Sequence, residues 1–135
     1  MIKLESTLDG AGTIVENDIL MTDSEAGAVG EAVVATSGRL TKAAATVAPT
    51  FILTKKTTAG TNVATEYVRV REDQVFTADI TGTAGAAAVA AAIGSKAVRI
   101  DSNGTGIDSD QLTGGKVIIM SVDTAKSKAR IKFDI

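Results

Sequence analysis

Apolar and polar residues alternate along most of this chain with a period of two, the spacing of a half-buried β-strand. Ile2, Leu4 and Leu8 interleave with Lys3, Glu5 and Thr7, which reads as a half-buried strand or as an extended arm. Residues 13–21 form a second apolar-rich stretch, broken by Glu16-Asn17-Asp18, and predict a strand with a turn. Residues 32–36 and 39–43 flank Ser37-Gly38, a two-residue turn between β-prone runs and hence a hairpin signal. Pro49 precedes residues 50–55, and proline is tolerated at a strand start where it would not be inside one. In 63–72, Val68 and Val70 share one face, with Tyr67, Arg69 and Arg71 on the other. In 74–80, Phe76, Ala78 and Ile80 alternate with Thr77 and Asp79, and Val98 and Ile100 do the same with Arg99 and Asp101. Residues 116–123 place Ile118, Met120 and Val122 on one face, and Ala125-Lys126-Ser127 is a tight connection. After it Ala129, Ile131, Phe133 and Ile135 alternate with Arg130, Lys132 and Asp134.

One segment departs from this pattern. Residues 85–93 are nearly all alanine, the strongest helix former, and Gly94 follows as a C-terminal stop. Val89 and Ile93 lie four apart, on one helical face, and Thr83 is placed to cap the start. A short Ala-rich helix over about 85–93 is expected, packed on a sheet because so short a helix cannot stand alone in water. A small-residue strand or loop is the alternative. The fold class expected is mainly β: a small β-barrel or sandwich of short antiparallel strands with that one helix and an extended N-terminal arm. Residues 1–12 read as an N-terminal arm or edge strand, and 13–135 as a single β domain.

Composition narrows the chemistry. The 135 residues include no His, Cys or Trp. Imidazole-based catalysis, thiol nucleophiles, disulfides and ordinary zinc sites are thereby closed. Aromatics are only 3% of the chain, so the core must be aliphatic, and modest stability is expected of the isolated subunit. A net charge of −2 with interspersed signs gives no basic footprint for nucleic acid and no surface for membrane binding. Residues 1–8 lack the basic and apolar regions of a signal peptide, and the apolar run at 84–93 is too short to span a bilayer.

The remaining motifs favour structural readings. Asp101, Asn103 and Thr105 with Gly106 resemble the start of an EF-hand loop, but Leu112 stands where a bidentate Glu is required. The Asn103-Gly104 pair reads instead as a tight turn. Its match with Thr105 to a glycosylation acceptor means nothing without a secretory signal. Gly10-Ala11-Gly12 and Gly104-Thr105-Gly106 lack the third glycine of a dinucleotide fingerprint, and Gly115-Lys116 is followed by Val117, not by a hydroxyl residue. Asp108/Asp110 and Glu16/Asp18 sit on loops, where carboxylates favour turns. Ser95-Lys96 and Ser127-Lys128 are adjacent pairs that point to opposite faces of a strand. No catalytic residue, cofactor or metal is expected.

Two stretches carry a family resemblance. One runs Gly30-Glu31-Ala32-Val33-Val34-Ala35-Thr36-Ser37-Gly38-Arg39-Leu40-Thr41-Lys42-Ala43 and on through Pro49 to Phe51 and Leu53. The other runs Ile93-Gly94-Ser95-Lys96-Ala97-Val98-Arg99-Ile100-Asp101 through Gly104 and Ile107 to Gly114-Gly115-Lys116-Val117-Ile118-Ile119. Together they resemble the small β-barrel decoration (cement) proteins on the capsid exterior of tailed bacteriophages. The resemblance implies a non-enzymatic virion protein, made in the host cytoplasm. It would bind the major capsid protein and neighbouring copies of itself, as a homotrimer. It also implies a terminal arm that adds to a capsid or neighbouring sheet edge, a role that falls by analogy on Ile2, Lys3, Leu4 and Glu5. Residues 2–8 could equally form an edge strand of their own domain. Two rival readings stand beside this one. A carbohydrate- or ligand-binding β module would have Tyr67 as its sole aromatic platform. A phage tail or baseplate component is the other.

Overall fold

The computed structural model describes residues 1–7 and 14–135. Among these, the strands in chain order are β1 (Lys3–Thr7), β2 (Val15–Glu16), β3 (Ala32–Thr36), β4 (Arg39–Lys42), β5 (Phe51–Leu53), β6 (Tyr67–Arg69) and β7 (Gln74–Thr81). The helix α1 (Gly85–Ala91) follows, then β8 (Gly106–Asp108), β9 (Val117–Asp123) and β10 (Lys128–Phe133). The strands form two five-stranded sheets. One has the order β1-β7-β10-β9, with β8 paired to β7; the other has the order β2-β6-β5-β3-β4. All pairings within them are antiparallel except β7 with β8. The sheets are not joined into a closed barrel, so of the two expected architectures the sandwich holds.

The alternation read from the sequence builds the main core between the sheets. Phe76, Ala78 and Ile80 of β7 meet Ala129, Ile131 and Phe133 of β10, with Ala32, Ile52 and Val68 from the other sheet. The rings of Phe76 and Phe133 pack edge-on at 5.4 Å, an arrangement their quadrupoles favour. Each large aliphatic or aromatic side chain buried here contributes about 1.5–3 kcal/mol. The β3–β4 hairpin turns at Ser37 and Gly38, both at positive φ (50° and 77°). That pair of values suits a two-residue turn matched to the twist of its strands.

A second cluster lies on the far face of the β5 sheet: Met21, Val33, Leu40, Phe51, Leu53 and Tyr67, with Ile19 and Val63 packed against it. The all-apolar triplet of β5 is buried on both faces for this reason. On β6 Tyr67 lies on the face opposite Val68, as the alternation predicts, and because this second cluster covers that face Tyr67 is fully buried. Backbone bonds fasten the covering segment, from Met21 N–H to Val63 O at 2.9 Å and from Thr22 N–H to Leu40 O at 2.9 Å.

Three local expectations change. In β9 the register slips between Ser121, opposite Arg130, and Ile119, opposite Ile131, leaving Met120 as a bulge. Val117 and Ile119 face the core before the bulge and Val122 packs against it afterwards, so Ile118, Met120 and Val122 do not form one face. In α1, Val89 is buried but Ile93 lies beyond the helix end and is exposed, with Gly94 at φ 89° behind it. Thr83 does not cap the helix. Asp110 accepts the N–H groups of Thr83 (2.7 Å) and Ala84 (2.8 Å), and Ser109 Oγ accepts that of Gly85 (2.8 Å).

Candidate functional site

The four residues singled out for a partner contact, Ile2, Lys3, Leu4 and Glu5, lie at the start of an edge strand of their own sheet. Lys3 stands opposite Thr77 and Leu4 opposite Phe76 on β7. Ile2 is 1% exposed and belongs to the main core, and its N–H donates to Gly30 O at 3.2 Å, which ties it to the opposite sheet. Leu4 is half-buried against the same core, while Lys3 and Glu5 point to solvent. The arm expected from the resemblance is therefore the other alternative, an edge strand. The pleat explains it: Ile2 and Leu4 share the inward face and find apolar partners within the chain. Leu8 and Gly10-Ala11-Gly12, and with them the boundary expected near residue 12, lie outside the described residues.

Glu5 is held in place rather than free. Its carboxylate accepts Arg130 Nε–H at 3.1 Å and the Thr77 hydroxyl at 3.0 Å. The hydrogen bond from Arg130 holds its pKa below the ordinary glutamate value. Next to it Lys128 Nζ meets Asp79 at 2.5 Å, so the outer face of this sheet carries cross-strand ion pairs. Exposed pairs of this kind contribute about 0–1 kcal/mol each.

Between β1 and the β2–β6–β5 edge of the other sheet runs an apolar cleft of about 490 Å³. Its floor is made by Ile2, Ile52, Leu53 and Val68. Around its mouth Met1, Val15 and Val29 are 48%, 55% and 41% exposed. Ile14, next to Val15, is also exposed. Both lips are edge strands, β1 of one sheet and β2 of the other. Edge strands present backbone donors and acceptors that a further strand can use. Exposed large apolar side chains gathered around one concavity mark a contact surface more than scattered ones do. Sequence reasoning found the β1 lip from its alternation. It missed Val29 and Val15, which become neighbours of β1 only through the sandwich.

The remaining polar groups serve the fold. Asp18 accepts the Tyr67 hydroxyl at 2.5 Å, and Glu16 pairs with Arg69 at 3.2 Å. Burial and the bond to Asp18 push the Tyr67 pKa up to about 12. Asp110 holds the start of α1, and Asp108 accepts the Asp110 N–H at 2.9 Å. Asp101 accepts the Thr105 N–H at 3.0 Å and the Thr81 hydroxyl at 3.2 Å, closing the turn that the Asn-Gly pair predicts. Asp108 and Glu16, expected on loops, lie instead at the ends of strands β8 and β2, and β8 buries Ile107 against β7. Among the described residues no three His, Cys, Asp or Glu side chains are gathered to hold a metal ion.

No known protein-family model matches the chain, and no curated protein is significantly similar to it.

Proposed function

We propose that the chain is a structural virion protein that decorates and stabilises the outer surface of a phage capsid. It does so by binding the major capsid protein and neighbouring copies, as a homotrimer. The observation that carries this reading is the apolar cleft between two edge strands, rimmed by Met1, Val15 and Val29. Such a surface suits binding to another protein, and a shell repeats one site many times, so modest affinity per copy suffices. The carboxylates and hydroxyls described above are engaged in turns, caps and ion pairs, which accords with a protein that acts by contact. In this reading Lys3 and the exposed edge of β1 meet the shell, while Ile2 supports them from the core.

The carbohydrate-binding alternative loses its aromatic platform, because Tyr67 is buried and its hydroxyl is bonded to Asp18. Co-sedimentation of the purified chain with undecorated phage heads, with light scattering for its oligomeric state, tests the proposal. A trimer that pellets with heads supports it. A monomer that stays in the supernatant at saturating concentration overturns it.

A further inference from the structure

We propose that Asn103 is a site of spontaneous deamidation that the native fold holds closed. The chain has three asparagines, and Asn103 is the one followed by glycine. Glycine has no β-carbon to screen its backbone nitrogen, so that nitrogen can reach the preceding side-chain carbonyl carbon. In the reaction the Gly104 nitrogen gives its proton to solvent base and attacks Asn103 Cγ. A nitrogen–Cγ bond forms, the Cγ–Nδ2 bond breaks, and Nδ2 leaves as ammonia with a proton from water. Water then opens the five-membered imide at either carbonyl, yielding aspartate or isoaspartate; no oxidant or reductant takes part.

The fold exposes the electrophile and restrains the nucleophile. The Asn103 side chain faces solvent. Gly104 is buried, at φ 76°, and its N–H donates to Asp101 O at 3.0 Å. Its carbonyl accepts the Ala32 N–H at 2.7 Å, which ties this turn to β3 of the opposite sheet. The Asp101 carboxylate fixes the next amide, Thr105. Attack on Cγ therefore needs the turn to open. The same geometry explains why position 104 is glycine. Position 104 needs the left-handed conformation, and a β-carbon there would lie 3.1 Å from Lys42 Cγ and 3.3 Å from Glu31 Cγ. Once formed, isoaspartate adds a backbone atom ahead of Gly104, which displaces the carbonyl from Ala32.

The test incubates the full chain at mildly alkaline pH, folded in buffer and unfolded in urea, and follows the amide-to-acid mass gain by peptide mapping. Asn103 should convert first in urea, ahead of Asn17 and Asn62, and at least about tenfold more slowly in the folded chain. The Asn103→Gln variant should show no gain in that peptide in either state. Equal rates in the two states overturn the protection by the fold. Absence of conversion at Asn103 in urea, or earlier conversion at Asn17 or Asn62, overturns the site itself.

Discussion

Replacing Ile2 with alanine probes whether the N-terminal strand is part of the folded domain. Ile2 is 1% exposed and packs in the main core, so Ile2→Ala removes three buried carbons. At about 0.8 kcal/mol per buried methylene the transfer loss alone is about 2.4 kcal/mol. Core truncations of this size total about 2–5 kcal/mol once the cavity is included. Ile2 also borders the open cleft, where water can enter the vacated space, which places the expected loss at about 2–3 kcal/mol. Against a stability of about 5–15 kcal/mol that is a large fraction, and the melting temperature should fall by about 10 °C. The neighbouring substitution Lys3→Ala, on the exposed face of the same strand, should stay within about 0.5 kcal/mol. Urea unfolding of both variants, read by circular dichroism, gives the two values side by side. If Ile2→Ala unfolds at the same urea concentration as Lys3→Ala, the strand is not docked on β7 and the reasoning fails.

Burial raises the pKa of Glu31 while its Oε2 accepts the Ala28 N–H at 2.8 Å. Its charged form therefore disfavours the fold above that raised pKa. The penalty is relieved as pH falls through it, so Glu31→Gln should gain stability at neutral pH and lack this acid-side gain in a pH series of unfolding curves. Tyr67 is the sole tyrosine, with its pKa pushed up to about 12. Its contribution is complete below the ordinary tyrosine pKa and is lost as pH rises towards 12, so phenolate absorbance should appear only there or on unfolding. Phenolate absorbance near the ordinary value in the folded chain would contradict the buried bond to Asp18. The backbone N–H of Thr83, then that of Ala84, hold the Asp110 pKa below the ordinary aspartate value. Asp110→Ala should speed hydrogen exchange at both amides and leave β10 unaffected; unchanged exchange at Thr83 and Ala84 would remove Asp110 as the cap.

What the sequence made legible is what local chemistry decides. The β3–β4 hairpin follows from Ser37-Gly38, and β10 from the alternation of Ala129, Ile131 and Phe133 with charged neighbours. The parts that escaped depend on contacts distant in the chain. The cap of α1 comes from Asp110, more than twenty residues further on. Tyr67 is drawn inside because residues 19–21 cross over the far face of its sheet, an event no period-two pattern encodes. β8 offers one apolar residue in three, too little for a strand signal, and forms because β7 leaves Asp79, Ile80 and Thr81 open to it. The Met120 bulge shifts a pattern that looks regular on paper. At the candidate site, alternation marked Ile2 and Leu4, but a buried edge strand and a free arm carry the same pattern. The Ile2 bond to Gly30 and the apolar rim supplied by Val15 and Val29 separate the two.

A reconstruction by electron cryomicroscopy of phage particles mixed with the purified chain tests the proposed role most directly. The account predicts density for this two-sheet subunit on the outside of the shell, in trimers, with β1 and the apolar cleft turned towards a neighbouring protein. Density confined to the tail, or a shell bare of it, would contradict the account.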